Sequence, residues 1–175
     1  SRRDVAQLAL PTLLVNGDFA SGTIGPGWSL FGQIGGTVNS GVFEFTKLAG
    51  TPSGVILQQT GQAVAADELL TATFQLGNSS AVRKRVTVIL HDSDFSDLSA
   101  CTFWLAPGQP LSPYTYRTFA TDAWTNATLS VYPATVGVDL TTRLDNVTMQ
   151  RTPSAAIGGT QCLEPASAVN LANAG

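Results

Sequence analysis

The sequence predicts an all-β fold, a β-sandwich or jelly roll built from antiparallel sheets. Only 12% of the 175 residues are charged, which leaves few side chains for the solvated faces of helices. Short segments of β character recur about every ten to fifteen residues, and clusters of Gly, Pro, Asn and Ser separate them. In several segments apolar and polar residues alternate, as expected for sheets with one buried face.

The segments with β character follow one another after Pro11. We predict strands, in chain order, within residues 12–20, 27–34, 41–48, 53–64, 69–78, 84–92, 101–107, 113–121, 127–135 and 142–150. Alternation is clearest in 41–48, 69–78 and 84–92. The side of each segment that is predicted to be buried carries Phe43, Phe45, Leu70, Ala72, Phe74, Leu76, Val86, Val88 and Leu90.

The chain length fits one domain with its own hydrophobic core. Because the β-rich segments all fall within residues 12–151, we predict that this range forms a single domain. Residues 1–11 are predicted to be a separate N-terminal segment. Residues 152–175 are rich in Ala, Gly, Ser and Pro and nearly uncharged, which is typical of a tail or linker.

The two cysteines lie at Cys101, in the predicted domain, and at Cys162, in the predicted tail. A disulfide bond between them would close a loop of about 60 residues and add about 4 kcal/mol of stability in the chain-entropy model. It would attach the tail to the domain and indicate an oxidising compartment. The alternative is two unrelated thiols, one of them buried.

The formal net charge of −3 gives no sign of a basic nucleic-acid-binding surface. No apolar run approaches the length that spans a bilayer. We therefore predict neither nucleic-acid binding nor membrane insertion. The low charged fraction, the single methionine and the predicted disulfide bond favour a secreted or cell-surface protein. Sequons begin at Asn78, Asn126 and Asn146, which would be glycan acceptors in a eukaryotic secreted protein.

The sequence contains no common catalytic motif: neither Gly-x-Ser-x-Gly, nor His-Glu-x-x-His, nor a phosphate-binding glycine loop. His91 is the only histidine, and we expect it to be a strand-end residue. The stretch "HDSDFSDLS" (91–99) begins like a calcium loop but lacks that loop's Gly and its final Glu, so it predicts an acidic surface loop. We predict a protein without enzymatic activity.

Two ends of the domain carry a resemblance to a known family. The opening stretch "LLVNGDFASGTIGPGW" (13–28) and the closing stretch "RLDNVTMQ" (143–150) resemble the galactose-binding-like jelly rolls, notably carbohydrate-binding modules of families 4, 9 and 22. Those modules open with Asn-Gly-x-Phe-Glu, reach a Gly-Trp, and close with Asp-Asp-Val-x-Leu. The resemblance covers about residues 12–150 and implies a jelly-roll β-sandwich of two antiparallel sheets. It also implies that Trp28 belongs to the core.

The resemblance implies a structural Ca²⁺ where the first and last strands meet. Asp145 matches the family's metal-binding aspartate, whereas the family's glutamate falls on Ala20, which has no carboxylate. Asp18 would then supply oxygen ligands in its place, and the loop at Gly41 would supply carbonyls, because Ca²⁺ prefers six to eight oxygens. The alternative is that Asp18 only forms a turn and Asp145 only accepts backbone hydrogen bonds.

A carbohydrate ligand requires exposed aromatic side chains with polar neighbours. Alternation places Trp104 on the more polar side of its segment, and Tyr114 and Tyr116 on a shared side of theirs. We predict that these three residues form a binding platform. Their expected polar partners are Gln58, Gln75 and Arg117. The alternative is that the aromatic rings pack beneath long loops.

Two functional hypotheses remain at this point. In the first, the protein is a non-catalytic carbohydrate-binding module of a secreted or cell-surface protein, and its partner is a glycan or polysaccharide. In the second, it is a structural jelly roll of an extracellular coat, appendage or adhesin, with its termini in contact with neighbouring subunits.

Overall fold

The computed structural model describes residues 11–152 and 157–165. Within these residues the chain forms β-strands and no helix. The strands are β1 (Ser29–Phe31), β2 (Ile34–Asn39), β3 (Val42–Lys47), β4 (Val55–Gln59), β5 (Leu69–Asn78), β6 (Lys84–Asp92), β7 (Leu98–Leu105), β8 (Ser112–Phe119), β9 (Ala127–Pro133), β10 (Thr142–Arg151) and β11 (Gln161–Leu163).

The strands form two antiparallel sheets. The five-stranded sheet has the order β1-β4-β9-β6-β7, and the six-stranded sheet has the order β11-β8-β5-β10-β3-β2. The prediction of an all-β jelly-roll sandwich is therefore confirmed. In the described residues no helix is long and apolar enough to cross a membrane.

The core lies between the two sheets, on the faces that the alternation predicted. All the residues predicted to be buried in 41–48, 69–78 and 84–92 are at most 2% exposed. The other strands of the five-stranded sheet add Ile56, Phe103, Leu129 and Val131 to this core. Trp28 also belongs to this core, as the resemblance implied, and its indole N–H donates to the Asn16 carbonyl at 2.9 Å.

The first predicted strand, 12–20, is not a regular strand, but it lies beside β10. The amide of Leu13 donates to the Met149 carbonyl at 2.7 Å, and the amide of Val147 donates to the Gly17 carbonyl at 2.9 Å. A Cβ atom at Gly17 would lie 2.0 Å from the Val147 carbonyl oxygen, so only glycine fits here. The opening and closing segments therefore meet.

Phe19 anchors this opening segment in the core. Its ring is fully buried and stacks between Trp28 and Phe43, with ring centroids 5.6 and 5.8 Å away. Phe43 in turn stacks on Phe45. The backbone of Phe19 has a φ of 52°, which turns the chain sharply after Asn-Gly-Asp and directs the ring inward.

A disulfide bond joins Cys101 and Cys162, with their Cα atoms 5.6 Å apart. It connects β7 and β11, which are edge strands of different sheets, and so it closes one side of the sandwich. β11 lies within residues 152–175, the segment predicted to be a tail or linker, and it pairs with β8 of the six-stranded sheet. Residues 1–10, 153–156 and 166–175, including the termini proposed for subunit contacts, lie outside the described residues.

Candidate functional site

The predicted aromatic platform is not formed. Tyr114 and Tyr116 do share one side of β8, but that side faces the core, where they are 3% and 0% exposed. The Tyr114 hydroxyl is hydrogen-bonded to the Gln109 side chain, and the Tyr116 hydroxyl to the Ser99 hydroxyl. Burial raises the pKa of Tyr116 to about 12. Trp104 lies on the outer surface of the other sheet and is 51% exposed.

The polar partners predicted for the platform are also separated from Trp104. Gln58 is buried, and its side-chain amide bonds the backbone N–H and carbonyl of Val15. Gln75 and Arg117 lie on the outer surface of the six-stranded sheet, where Asn146 and Gln161 contact them. Gln58 therefore holds the opening segment, and the other two are on the opposite side of the molecule from Trp104.

A different group of aromatic side chains shares the outer surface of the five-stranded sheet. Phe31 on β1, Tyr132 on β9 and Trp104 on β7 point away from the core; we call this surface the aromatic face. Tyr132 pairs with Thr87, and Trp104 pairs with Arg85 on the same strand β6. From β1 to β7 the sheet spans about 19 Å, given the usual spacing of strands.

The aromatic face exposes large apolar groups to solvent. Phe31 is 62% exposed, and Tyr132 is partly buried between its neighbours. Leu57 and Ile89 share this surface on the side of Tyr132 that is away from Trp104, and both are half-buried. Burial raises the pKa of Tyr132, so its hydroxyl group stays protonated and can donate a hydrogen bond. A contiguous surface of this kind is typical of a binding site.

Two arginine side chains make cation–π contacts with the Trp104 ring. The guanidinium carbons of Arg83 and Arg85 lie 4.8 and 5.6 Å from the ring centroid. On its other flank Trp104 lines a groove of about 470 Å³ between the loop 106–110 and the residues after β11, where Glu164 lies. One end of the aromatic face therefore combines an aromatic ring, positive charge and a groove.

The residues predicted to hold Ca²⁺ do come together. A Cβ atom at Gly41 would lie 3.9 Å from the Asp18 carbonyl oxygen. Asp145 is close enough to Asp18 that the negative charge of Asp18 contributes to its pKa. Ala20 is exposed, and its amide donates to the Asp18 carboxylate at 3.1 Å, which closes a turn.

The carboxylates of Asp18 and Asp145 repel each other, and the positive charge of Arg143 offsets only part of this repulsion. Desolvation by burial, and then repulsion from Asp18, raise the pKa of Asp145, although the amide of Asn146 donates to its carboxylate. In residues 11–152 and 157–165 no three His, Cys, Asp or Glu side chains form a group that could hold a metal. Two carboxylates with nearby carbonyls suit Ca²⁺, a hard cation that accepts backbone oxygens.

The acidic stretch 91–99 does not form a calcium loop. The carboxylate of Asp92 accepts hydrogen bonds from the amides of Ser93, Thr125 and Asn126. Asp97 accepts bonds from the 121–124 loop, and these bonds lower its pKa against the opposing effect of burial. Both carboxylates are occupied in holding loops together.

His91 is buried at the end of β6, close to where the sequence placed it. Nδ1 donates to the Asp92 carbonyl at 2.6 Å, and Nε2 accepts from the Ser130 hydroxyl at 2.8 Å. The Phe95 ring stacks on it at 4.1 Å. Desolvation by burial lowers the pKa of His91, so the imidazole stays neutral. Its two nitrogens are engaged within the fold.

The sequence analysis missed Phe31 and Tyr132 as candidate ligand-binding residues. The signal was present for Tyr132, since the neighbouring Leu129 and Val131 alternate with Ser130 and Tyr132. Phe31 lies on a strand of three residues, which is too short for alternation to assign a side. Only the order of strands in the sheet places these rings on one surface with Trp104.

No protein-family model matches this chain, and no curated protein sequence matches it. Several solved structures do match. One, described as "CBM4 structure and function", has a TM-score of 0.61 and 17% identity, over 79% of this chain and 99% of that chain. The CBM22-1 xylan-binding domain from Paenibacillus barcinonensis Xyn10C has a TM-score of 0.60 and 13% identity, over 84% and 98%.

A third match is TmCBM61 in complex with β-1,4-galactotriose, with a TM-score of 0.54 and 11% identity over 81% of this chain and 99% of that chain. At these identities the likeness concerns the fold, and the resemblance noted in the sequence is confirmed at that level. The chain has the jelly-roll fold of carbohydrate-binding modules.

Proposed function

We propose that the protein is a non-catalytic carbohydrate-binding module of a secreted or cell-surface protein, and that it binds a polysaccharide on the aromatic face. The observation that carries this proposal is the placement of Phe31, Tyr132 and Trp104 on one exposed sheet surface. Sugar rings have apolar faces that pack on aromatic rings and hydroxyl rims that need polar partners. Thr87 and Thr102 supply hydroxyl groups between the rings.

The absence of catalysis is supported by the state of the ionisable groups. The chain's one histidine is buried and hydrogen-bonded on both nitrogens, and Asp92 and Asp97 are engaged in holding loops. The outward-facing positions of β1, β4, β6, β7 and β9 hold no Asp or Glu, so these strands do not supply the acid pair that glycoside hydrolysis needs. The disulfide bond supports a location in an oxidising compartment.

Replacing Tyr132 or Trp104 with alanine should weaken polysaccharide binding about tenfold or more, as expected for an aromatic residue that anchors a ligand. The measurement is isothermal titration calorimetry of the whole chain against xylan, β-1,4-galactan and mixed-linkage β-glucan. Trp104 is half exposed, so its removal should leave the thermal midpoint nearly unchanged.

Two variants on the opposite sheet serve as matched controls. Gln75→Ala and Arg117→Gln alter the outer surface of the six-stranded sheet and should leave the affinity unchanged. If these two variants abolished binding while Tyr132→Ala and Trp104→Ala retained it, the ligand would bind on the six-stranded sheet, which would contradict this proposal. Binding to no polysaccharide at all would remove the proposed function.

We also propose that Ca²⁺ binds between the opening segment and β10, with ligands from Asp18, Asp145 and the backbone carbonyls near Gly41. The support is the approach of two carboxylates, one of which has a raised pKa because of burial and its acidic neighbour. A bound cation would neutralise this repulsion and fix the opening segment against β10. It would stabilise the fold by about 2.7 kcal/mol at a concentration 100 times its Kd.

Removal of calcium with EGTA should lower the thermal midpoint of the wild type and leave that of Asp145→Asn unchanged. Without calcium, Asp145→Asn should be at least as stable as the wild type, because the substitution removes a carboxylate whose charge is disfavoured. Asp139→Asn, at an exposed loop position, is the control and should respond to EGTA like the wild type. An EGTA-insensitive wild type would contradict this site.

A further inference from the structure

The end of the aromatic face at Trp104 is positively charged. Arg83 precedes β6 and Arg85 is its second residue, so the two side chains lie on the same side of the chain and both reach the Trp104 ring. Cation–π attraction holds each guanidinium against the indole. Two like charges therefore lie against the same ring at an exposed surface of a protein whose net charge is −3.

Neither arginine has an acidic partner in the part of the chain that the structure describes. Among residues 11–152 and 157–165 the ion pairs join Arg143 to Glu44 and Arg151 to Glu68, and none involves Arg83 or Arg85. Both guanidinium groups are exposed and keep free N–H donors. Placing two cations near one ring without an anion is unfavourable, and a ligand carboxylate that pairs with them would relieve their repulsion.

An acidic group, Glu164, lies on the other flank of Trp104. Glu164 lies in the groove beside Trp104 that the loop 106–110 forms. Its charge disfavours an anion inside the groove, whereas the two arginines favour one on the side that continues toward Tyr132. The charges thus direct an anionic ligand onto the aromatic face and away from the groove.

We propose that the ligand of the aromatic face is an acidic polysaccharide, and that Arg83 and Arg85 bind the carboxylate of a uronic acid unit while its sugar rings pack on Tyr132 and Phe31. This inference rests on the proposed function. A guanidinium group matches a planar carboxylate through paired N–H donors, which a point charge does not. Trp104 acts here by holding both guanidinium groups in position.

A nucleic acid is the competing anionic polymer, but the observations favour a glycan. The basic residues at this end are few, and the rest of the aromatic face offers the hydroxyl groups of Thr87, Thr102 and Tyr132 instead of further cations. A nucleic-acid backbone would need a continuous positive track. An acidic glycan needs a cationic subsite for one carboxylate and aromatic rings for the faces of its sugars, which is what the aromatic face provides.

The test compares each polymer with its uncharged form. Binding of the whole chain to polygalacturonate and to alginate is measured by calorimetry at physiological ionic strength, beside the fully methyl-esterified form of each and single-stranded poly-dT. The wild type should bind at least one acidic polymer about tenfold or more tightly than its ester, as a charge-assisted pair predicts.

The variant Arg83→Gln/Arg85→Gln should lose this preference and still bind the ester. Lys47→Gln/Arg117→Gln is the matched control, because it removes the same net charge from the six-stranded sheet, and it should keep the preference. Equal binding of acid and ester by the wild type, or a preference that survives the arginine substitutions, would overturn this inference.

The outcomes separate this inference from the proposed function. If the protein binds xylan, galactan, β-glucan or an ester but prefers no acidic polymer, the inference is overturned and the carbohydrate-binding function stands. If poly-dT binds through the same arginines as tightly as the acidic polysaccharides, the arginines recognise anionic polymers in general, and the inference is overturned. Binding to none of these polymers overturns both.

Discussion

Replacing both Cys101 and Cys162 with alanine is expected to lower the free energy of unfolding by about 4 kcal/mol. The bond joins residues 61 apart in sequence, and removing it frees that loop in the unfolded chain. The native state is also destabilised, because β11 is only three residues long and, among the described strands, pairs with β8 alone. Urea denaturation measures the loss, and the thermal midpoint should fall by about 10 °C.

The reduced wild type is the control for this double variant, since it keeps both side chains and lacks only the bond. The two proteins should lose similar stability, with a small difference for the buried thiol of Cys101. A loss below about 1 kcal/mol in both would mean that hydrogen bonds such as Thr118–Thr160 hold β11 without the bridge. That result would contradict the view that the bond closes this side of the sandwich.

Replacing Phe19 with alanine should lower the free energy of unfolding by about 3–5 kcal/mol, as for other buried phenylalanines. The ring is 0% exposed and lies between Trp28 and Phe43, so its removal leaves a cavity in the aromatic stack. The loss should also loosen the opening segment against β10. Hydrogen exchange at the amides of Leu13 and Val147 measures that second effect.

Phe95→Ala is a matched control for this substitution. Phe95 also has a positive φ, 60° against 52° for Phe19, so the backbone change is the same in kind. Its ring is 46% exposed and covers only His91, and its removal should cost about 1 kcal/mol or less. Equal effects of the two substitutions would show that the stability at Phe19 comes from the backbone turn and not from burial.

Much of the fold could be predicted because burial follows the period of the strand. In β5 and β6 every second residue is strongly apolar, so the pattern determines which side is inside. On β8, Tyr114 and Tyr116 lie on one side of the strand, and Thr115 and Arg117 lie on the other. Tyrosine suits a core as well as a surface once its hydroxyl has a partner, and the pattern alone did not reveal those partners.

The binding surface could be predicted less well because it depends on strand order. Trp104 was assigned to the correct side of β7 by alternation. Its neighbours on that surface come from β1, β6 and β9, which are far apart in the chain. The opening and closing motifs, in contrast, carry their own turn residues, and they indicated the meeting of Asp18 and Asp145 that the structure shows.

The sequon at Asn78 has a practical consequence for producing the protein. Asn78 is 0% exposed, and its side-chain amide donates to the carbonyls of Val82 and Ala106. A bulky glycan cannot occupy that space, so a cell that attached one to the nascent chain would block closure of the loop at the end of β5. An Asn78→Asp substitution would lose those donors, whereas Ser80→Ala removes the acceptor motif and keeps the asparagine. Ser80→Ala is therefore the safer change for secretion from eukaryotic cells.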